Sequence, residues 1–462
     1  MKSFIMLLCV TAPVFAANYN VKDFGAIGDG TTENAAAIQK AIDTAAAHGG
    51  GIVQVPAGVY RTLTIFLKSH VTLRIDSGAT LMGSPNLTGY SQVDPAYQSF
   101  MARSDKYPQR VMIVAINEQD VAITGCGTIN GNGNDPNLNV ARLNSVNLVR
   151  FIKCHNVRML GDGSGSMLKV VNSSHWTVQP MYCDTVHLQF VHIENYGGTT
   201  PDGLPISDCS NVLVEDCYVG ADDDAITLKS GSPNITMRNF EIRNTIALSR
   251  VCGFKVGPQT WGPILDVNLT GCTFGGAKKP PATQFKKYQG IFLNIGNHGY
   301  IDGVTIDSCT VKDEPSAIGI FLGRLTDANW TDYWPGAGTP TGYGYIKNII
   351  FRNLSTSKMG NWGILIEGRD VSRIQNVTFD KVQLELPGGG TNLAIPAESP
   401  NKYPNMGDVY PQMPAYAFFL RHVDGIKFRD TYAWNLASDI RPALVTEDVL
   451  NMDTTGFHER KP

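Results

Sequence analysis

The chain has 462 residues, more than one compact core usually holds, which leaves several ordinary domains or one elongated repeat. Hydrophobic residues make up 43% and charged residues 17%, so the chain can build a core and is not of the disordered class. The formal net charge is −3 with no basic block, which argues against a nucleic-acid partner.

At the N-terminus, Lys2 precedes an apolar run over residues 4–10, and small residues follow up to Ala17. That layout predicts a signal peptide over residues 1–17 and a secreted or periplasmic product. No later stretch reaches about 18 consecutive apolar residues, so no membrane partner is expected. Residues 18–462 are read as a single domain and the protein as a monomer. Residues 21–30 lead into a helix predicted over about residues 31–48. There Ala37, Ile38, Ala41, Ile42 and Ala45 recur at helical spacing, and Gly49-Gly50-Gly51 ends the run. The period then changes, and residues 51–60 and 71–75 read as strands.

From there to about residue 450, short β-branched strands recur. Examples are residues 121–124, 156–159, 211–214, 234–237, 266–269, 303–306, 348–351, 376–379 and 425–428. Each is a turn residue followed by two or three β formers. The repeat has no strict period, against the regular spacing of about 40 residues that a β-propeller requires. No unit buries its own apolar face, but stacked units bury a continuous one. The prediction is an all-β, right-handed parallel β-helix (a solenoid) whose N-terminal helix caps one open end.

Eight cysteines lie beyond the leader: Cys126, Cys154, Cys183, Cys209, Cys217, Cys252, Cys272 and Cys309. An even number in an exported chain permits disulfides; stacked, buried thiols are the other reading. None forms a CxxC pair, so no structural zinc is expected. Asn-x-Ser/Thr occurs at Asn86, Asn172, Asn234, Asn268, Asn329, Asn353 and Asn376. Several of these read as asparagine turning into a strand.

The chemistry concentrates in residues 200–231, TPDGLPISDCSNVLVEDCYVGADDDAITLKSG. Asp202 and Asp223 are 21 residues apart, about one coil of a β-helix, and coils stack about 4.8 Å apart. Asp202, Asp223 and Asp224 therefore fall on one face. Carboxylates that close repel, so one keeps a proton near neutral pH. An acid beside a base is what glycoside hydrolysis needs. A solvated acidic turn or a calcium site, needing about six oxygens, are the other readings of such a cluster.

This segment resembles the N-T-D-G, G-D-D and I-K-S-G motifs of the polygalacturonase-like glycoside hydrolases, family 28. VKDFGAIGDGTTENAAAIQKAI and GGGIVQVPAGVY are similar to that family's cap and first coils. MPAYAFFLRHVDGIKFRD and RPALVTEDV are similar to its C-terminal coils. The resemblance implies a metal-free, cofactor-free, inverting hydrolase of galacturonate-containing plant cell-wall polysaccharide (pectin). It makes Asp223 the general acid, with Asp202 and Asp224 holding the water. Asp222 leaves room for a slip of one place.

Two departures follow. Cys252 stands where the family's G-H-G motif has histidine, and residues 289–294, ending in Asn294, stand where it has R-I-K. A cationic clamp suits a carboxylate, so its loss points to a subsite for another sugar, such as rhamnose, or for a substituted galacturonide. Cys252, Lys255, Asn294 and Arg324 are the predicted substrate contacts. Lys286, Lys287 and Arg421 are further cations for neighbouring subsites, and Trp330 and Trp334 are rings for stacking. His298 and His422 read as structural. Two other functions compete: a calcium-dependent, pectate-lyase-like enzyme and a non-catalytic carbohydrate-binding β-helix. No arginine adjoins the aspartate cluster to act as a lyase base, and the lost histidine and clamp keep the binder open.

Overall fold

The recurring asparagines set the geometry of the coil. In the computed structural model, which describes residues 17–93, 108–138, 140–198, 200–276, 289–323, 342–398, 412–460 and 462, Asn156, Asn211, Asn348 and Asn376 all have left-handed backbone, with φ between 54° and 59°. Asp120, Asp266, Gly303 and Gly425 do the same on other coils. Asparagine, aspartate and glycine tolerate this region where β-branched residues do not. The side chains then bond along the stack. Asn211 Nδ2 donates to Asp184 Oδ1 at 2.6 Å, and Asn376 Nδ2 donates to Asn348 Oδ1 at 3.0 Å.

After each such residue the chain runs as a strand and pairs in parallel with the coil before and the coil after. Val121, Val157, Val186, Val212, Phe240, Val267, Val304, Ile349, Val377 and Ile426 form one unbroken ladder of register partners. Every one is buried, each contributing roughly 1.5–3 kcal/mol of apolar burial. Further along, Phe351 and Phe428 stack on either side of Phe379, with centroids 5.0 and 5.5 Å away. Three strands per coil give three faces: a 14-stranded sheet, and a 24-stranded one holding the other two faces. The molecule is a right-handed parallel β-helix, the hand that parallel crossovers take.

The helix Ala35–Ala47 packs Ile38, Ala41, Ile42 and Ala45 against the first coil. It starts later than expected, because Asp29–Glu33 is a strand paired with Gly58–Thr62. The repeat expected over residues 234–237 is also displaced. Its strand is Met237–Arg243, and its left-handed residue is Asn239 rather than Asn234. All eight cysteines are free. Cys154, Cys183 and Cys209 sit on successive coils, and the Cys183 N–H lies 3.3 Å from Cys209 Sγ. Cys272 and Cys309 repeat that contact at 3.4 Å. These are stacked core thiols. The leader lies largely outside the described residues.

Candidate active site

Parallel pairing fixes which side chains meet. The Gly203 N–H bonds the Asp224 carbonyl, and the Ala225 N–H bonds the Cys252 carbonyl. The turns before the strands Leu204–Ser207, Ile226–Ser230 and Phe254–Thr260 are thereby stacked. Asp202, Asp223 and Asp224 each present a carboxylate oxygen within 4.8 Å of the others. Asp222 does not join them; it points to Arg250, 3.1 Å away. The Ser249 hydroxyl donates to the Asp223 carbonyl at 2.5 Å and pins that turn.

Two buried ammonium groups face the cluster. Lys255 Nζ donates to Asp224 Oδ2 at 2.9 Å, and Lys229 Nζ lies 3.2 Å from Asp202 Oδ2. Thr227 and Lys255 are register partners on the outer face, and Lys229 leaves the same face two residues further on, because strand side chains alternate. Lys229 also lies over the Trp176 ring, 5.6 Å from its centroid. Beside Trp176, the buried His175 meets Thr200 Oγ1 at 3.0 Å and Asn147 Oδ1 at 3.1 Å. Lys229 entered the sequence reading only as part of a motif. Its signal was the outward strand position one coil after the Asp202 turn.

Burial is the main force on the carboxyls. It raises Asp202 to about 8, against the pull of Lys229 and with the repulsion of Asp223 and Asp224 added. Asp223 is raised by burial first and by Asp224 second. Asp202 and Asp223 are thus both pushed towards the protonated form and titrate together. Asp224 Oδ1 is buried with no hydrogen-bond partner, an acceptor for a water or a sugar hydroxyl. As for a cation, the three carboxylates form a cluster of metal-ligand type, but two of them are already paired with lysines, and calcium needs more oxygens.

The remaining predicted contacts fall as follows. Cys252 is fully buried, and its thiol is pushed far up by burial and by Asp224; it is a neutral group next along the stack from Asp224. Gln289 follows it on the next coil, with both amide atoms buried and unpartnered; the sequence reading gave it no role. Asn294 is likewise buried with neither amide atom bonded. Arg421 is consumed by Glu367 and Glu447, at 3.4 and 2.8 Å, so it is no free substrate cation. His422 lies between Glu398 and Asp448, and His298 packs against Trp261. Arg324, Lys286, Lys287, Trp330 and Trp334 lie outside the described residues. On the C-terminal side, the outer-face partners after Lys255 are Phe292, Gly319, Leu365 and Phe419. Met413 and Ala415 cover them in a second apolar cluster, which closes the surface there.

A parallel β-helix with three facing carboxyls at one turn is the frame of a polysaccharide-acting class. The family model "Glycosyl hydrolases family 28" matches residues 51–399, and the chain belongs to that family. A probable polygalacturonase of Vitis vinifera is 28% identical over 64% of this chain and 61% of its own length. An exo-poly-alpha-D-galacturonosidase of Dickeya chrysanthemi is 38% identical over 31% of this chain and 24% of its own. The match thus spans under two thirds of either relative. The crystal structure of a hyperthermoactive exopolygalacturonase from Thermotoga maritima superposes with a TM-score of 0.66 at 18% identity, covering 95% of this chain and 92% of that one.

Proposed function

We propose that the protein is an exported hydrolase of galacturonate-containing pectic polysaccharide, working by acid and base catalysis on Asp202, Asp223 and Asp224. The observation that carries this is the meeting of three carboxyls within 4.8 Å, two of them held by lysines. Asp223, raised and in an ion pair with neither lysine, protonates the leaving oxygen; Asp224 deprotonates the water, which Asp202 helps to hold. Family membership and the polygalacturonase relatives support the substrate class.

The oxygens are closer than the roughly 6.5–9.5 Å usual for two-carboxyl inverting sites, and by that rule they favour retention. We take inversion nonetheless. Ammonium groups on Asp202 and Asp224 weaken both as nucleophiles and make them a fixed pair able to orient a water. The anomer first released, followed by NMR, tests this: release of the retained anomer overturns the inverting step.

The neutral Cys252 and Gln289 support a substrate other than plain polygalacturonate, since a buried unbonded amide suits a sugar hydroxyl better than a carboxylate. The apolar closure beyond Lys255 supports cleavage near a chain end. Product analysis on a panel of pectic polymers tests both. Fastest turnover on plain polygalacturonate refutes the preference, and an early spread of long products refutes end-cleavage. Unsaturated product ends identify a lyase instead.

A further inference from the structure

The outer face that carries Thr227 and Lys255 continues onto the earlier coils, where it holds a different kind of cation. Arg150 lies on the strand Val146–Ile152 between Val149 and Phe151, which face the inner core, so strand alternation turns it outwards. Its register partner on the following coil is Gln179. Arg150 Nε donates to Gln179 Oε1 at 2.7 Å, and Gln179 Nε2 donates to Ser207 Oγ at 3.3 Å. Ser207 is the register partner of Lys229, whose ammonium meets Asp202. A row of neighbouring polar side chains therefore leads from Arg150 to the aspartate cluster. Two inter-strand steps of about 4.8 Å separate the coil of Arg150 from that of Asp202.

The far end of the guanidinium has no partner. Nη1 and Nη2 are both buried without a hydrogen bond, and no carboxylate pairs with them among the described residues. Burial lowers the group to about 9, which leaves it charged at neutral pH. The other described cations of this face are already held: Lys229 by Asp202, Lys255 by Asp224, and Arg421 by Glu367 and Glu447. On the side away from the cluster, Arg150 borders Val114 and Ile152, part of an apolar group with Val93 and Val111 that offers no counter-charge. A buried charge without a partner is destabilising. Two unbonded nitrogens at the end of one planar fork match the two oxygens of a carboxylate. Arg150 is 0% exposed, against 3% for both Asp202 and Asp224, so it is enclosed to about the same degree as the groups that meet the substrate.

We propose that Arg150 is a carboxylate-binding group of the cleft, whose Nη1 and Nη2 hold a uronate of the substrate on the side of the earlier coils. The assignment rests on the hydrolase reading for the substrate class, but the binding itself requires no cleavage. On the side of the later coils the cleft presents the unbonded amides of Gln289 and Asn294 instead. The two sides of the cluster thus select different sugars, an acidic one before it and a neutral or substituted one after it.

The test is calorimetric titration in an Asp223→Asn background, which stops turnover. A short oligogalacturonate is compared with the same oligosaccharide after reduction of its carboxyls to alcohols. Arg150→Met is expected to bind the acidic sugar on the order of 10–100-fold more weakly and the reduced sugar unchanged. Arg150→Lys, which keeps the charge but loses the fork, falls between. Circular dichroism checks folding, and if Arg150→Met does not fold, Arg150→Lys against the parent decides. An equal loss on both sugars, or no loss on either, overturns the proposal, as does a parent protein that does not favour the acidic sugar. If acidic-sugar binding depends on Arg150 while the enzyme with Asp223 intact cleaves no pectic polymer, the carboxylate site stands and the hydrolase reading falls.

Discussion

Asp223 is the one member of the cluster that no lysine ties down, and three predictions follow from that contrast. Asp223→Asn leaves a folded protein whose turnover drops about 10²–10⁴-fold, measured as reducing ends released; Asp222→Asn, whose partner is Arg250, lowers it far less. Lys255→Met strands the buried Asp224 carboxylate. It removes about 3–5 kcal/mol of stability, read by chemical denaturation, and activity with it. The third concerns pH. Folded Asp202 titrates at about 8, whereas the unfolded carboxyl does so near 3.8. Between those values the folded state binds a proton that the unfolded state does not, so stability falls as pH rises from about 4 to about 8. Asp202→Asn flattens that slope in Tm against pH, and wild-type activity declines on the same alkaline side as the shared proton is lost. The aspartates were legible because one coil separates Asp202 from Asp223. Lys229 and Gln289 were not, because their roles depend on which face of a strand they leave, and insertions of unequal length hide the register.

The repeating element shows why single residues recur. A left-handed residue opens the strand on coil after coil, and asparagine adds a side-chain bond to the coil before. Asn348→Ala loses both the tolerated φ and the bond to Asp302, 2.7 Å away; a loss of about 1–2 kcal/mol is expected by chemical denaturation. The strand predicted at residues 234–237 failed at this scale. Asn234 follows a proline in a turn, and the true opening residue, Asn239, lies inside a run with too few apolar neighbours to stand out. The cysteines make a separate prediction. Among the eight described cysteines only Cys126 is partly exposed, and the other seven are buried. Of these eight, a thiol reagent on native protein should modify Cys126 alone, and all eight after denaturation, as counted by mass spectrometry. Modification of several thiols in the native state contradicts the stacked core.

At the scale of the whole molecule, the solenoid was readable from texture without a period, because stacking needs only that each unit offer an apolar face. The start of the cap was less readable: residues 31–33 carry no apolar side chain and were drawn into the helix, whereas pairing with Gly58–Thr62 makes them sheet. Chelation should leave hydrolysis intact, since Lys229 and Lys255 already pair with Asp202 and Asp224; activity lost in chelator and restored by calcium alone contradicts this. The neighbour-only pairing of the coils has a further consequence. Register partners on consecutive coils lie 20 to 54 residues apart, as from Gly51 to Val71 and from Ile364 to Phe418. Measured against a chain of 462 residues, these are short loops to close. With its helix on the first coil, the protein emerges from the ribosome cap first. Each later coil can then add to a finished edge as soon as it is synthesised, so that the order of synthesis is also an order of folding.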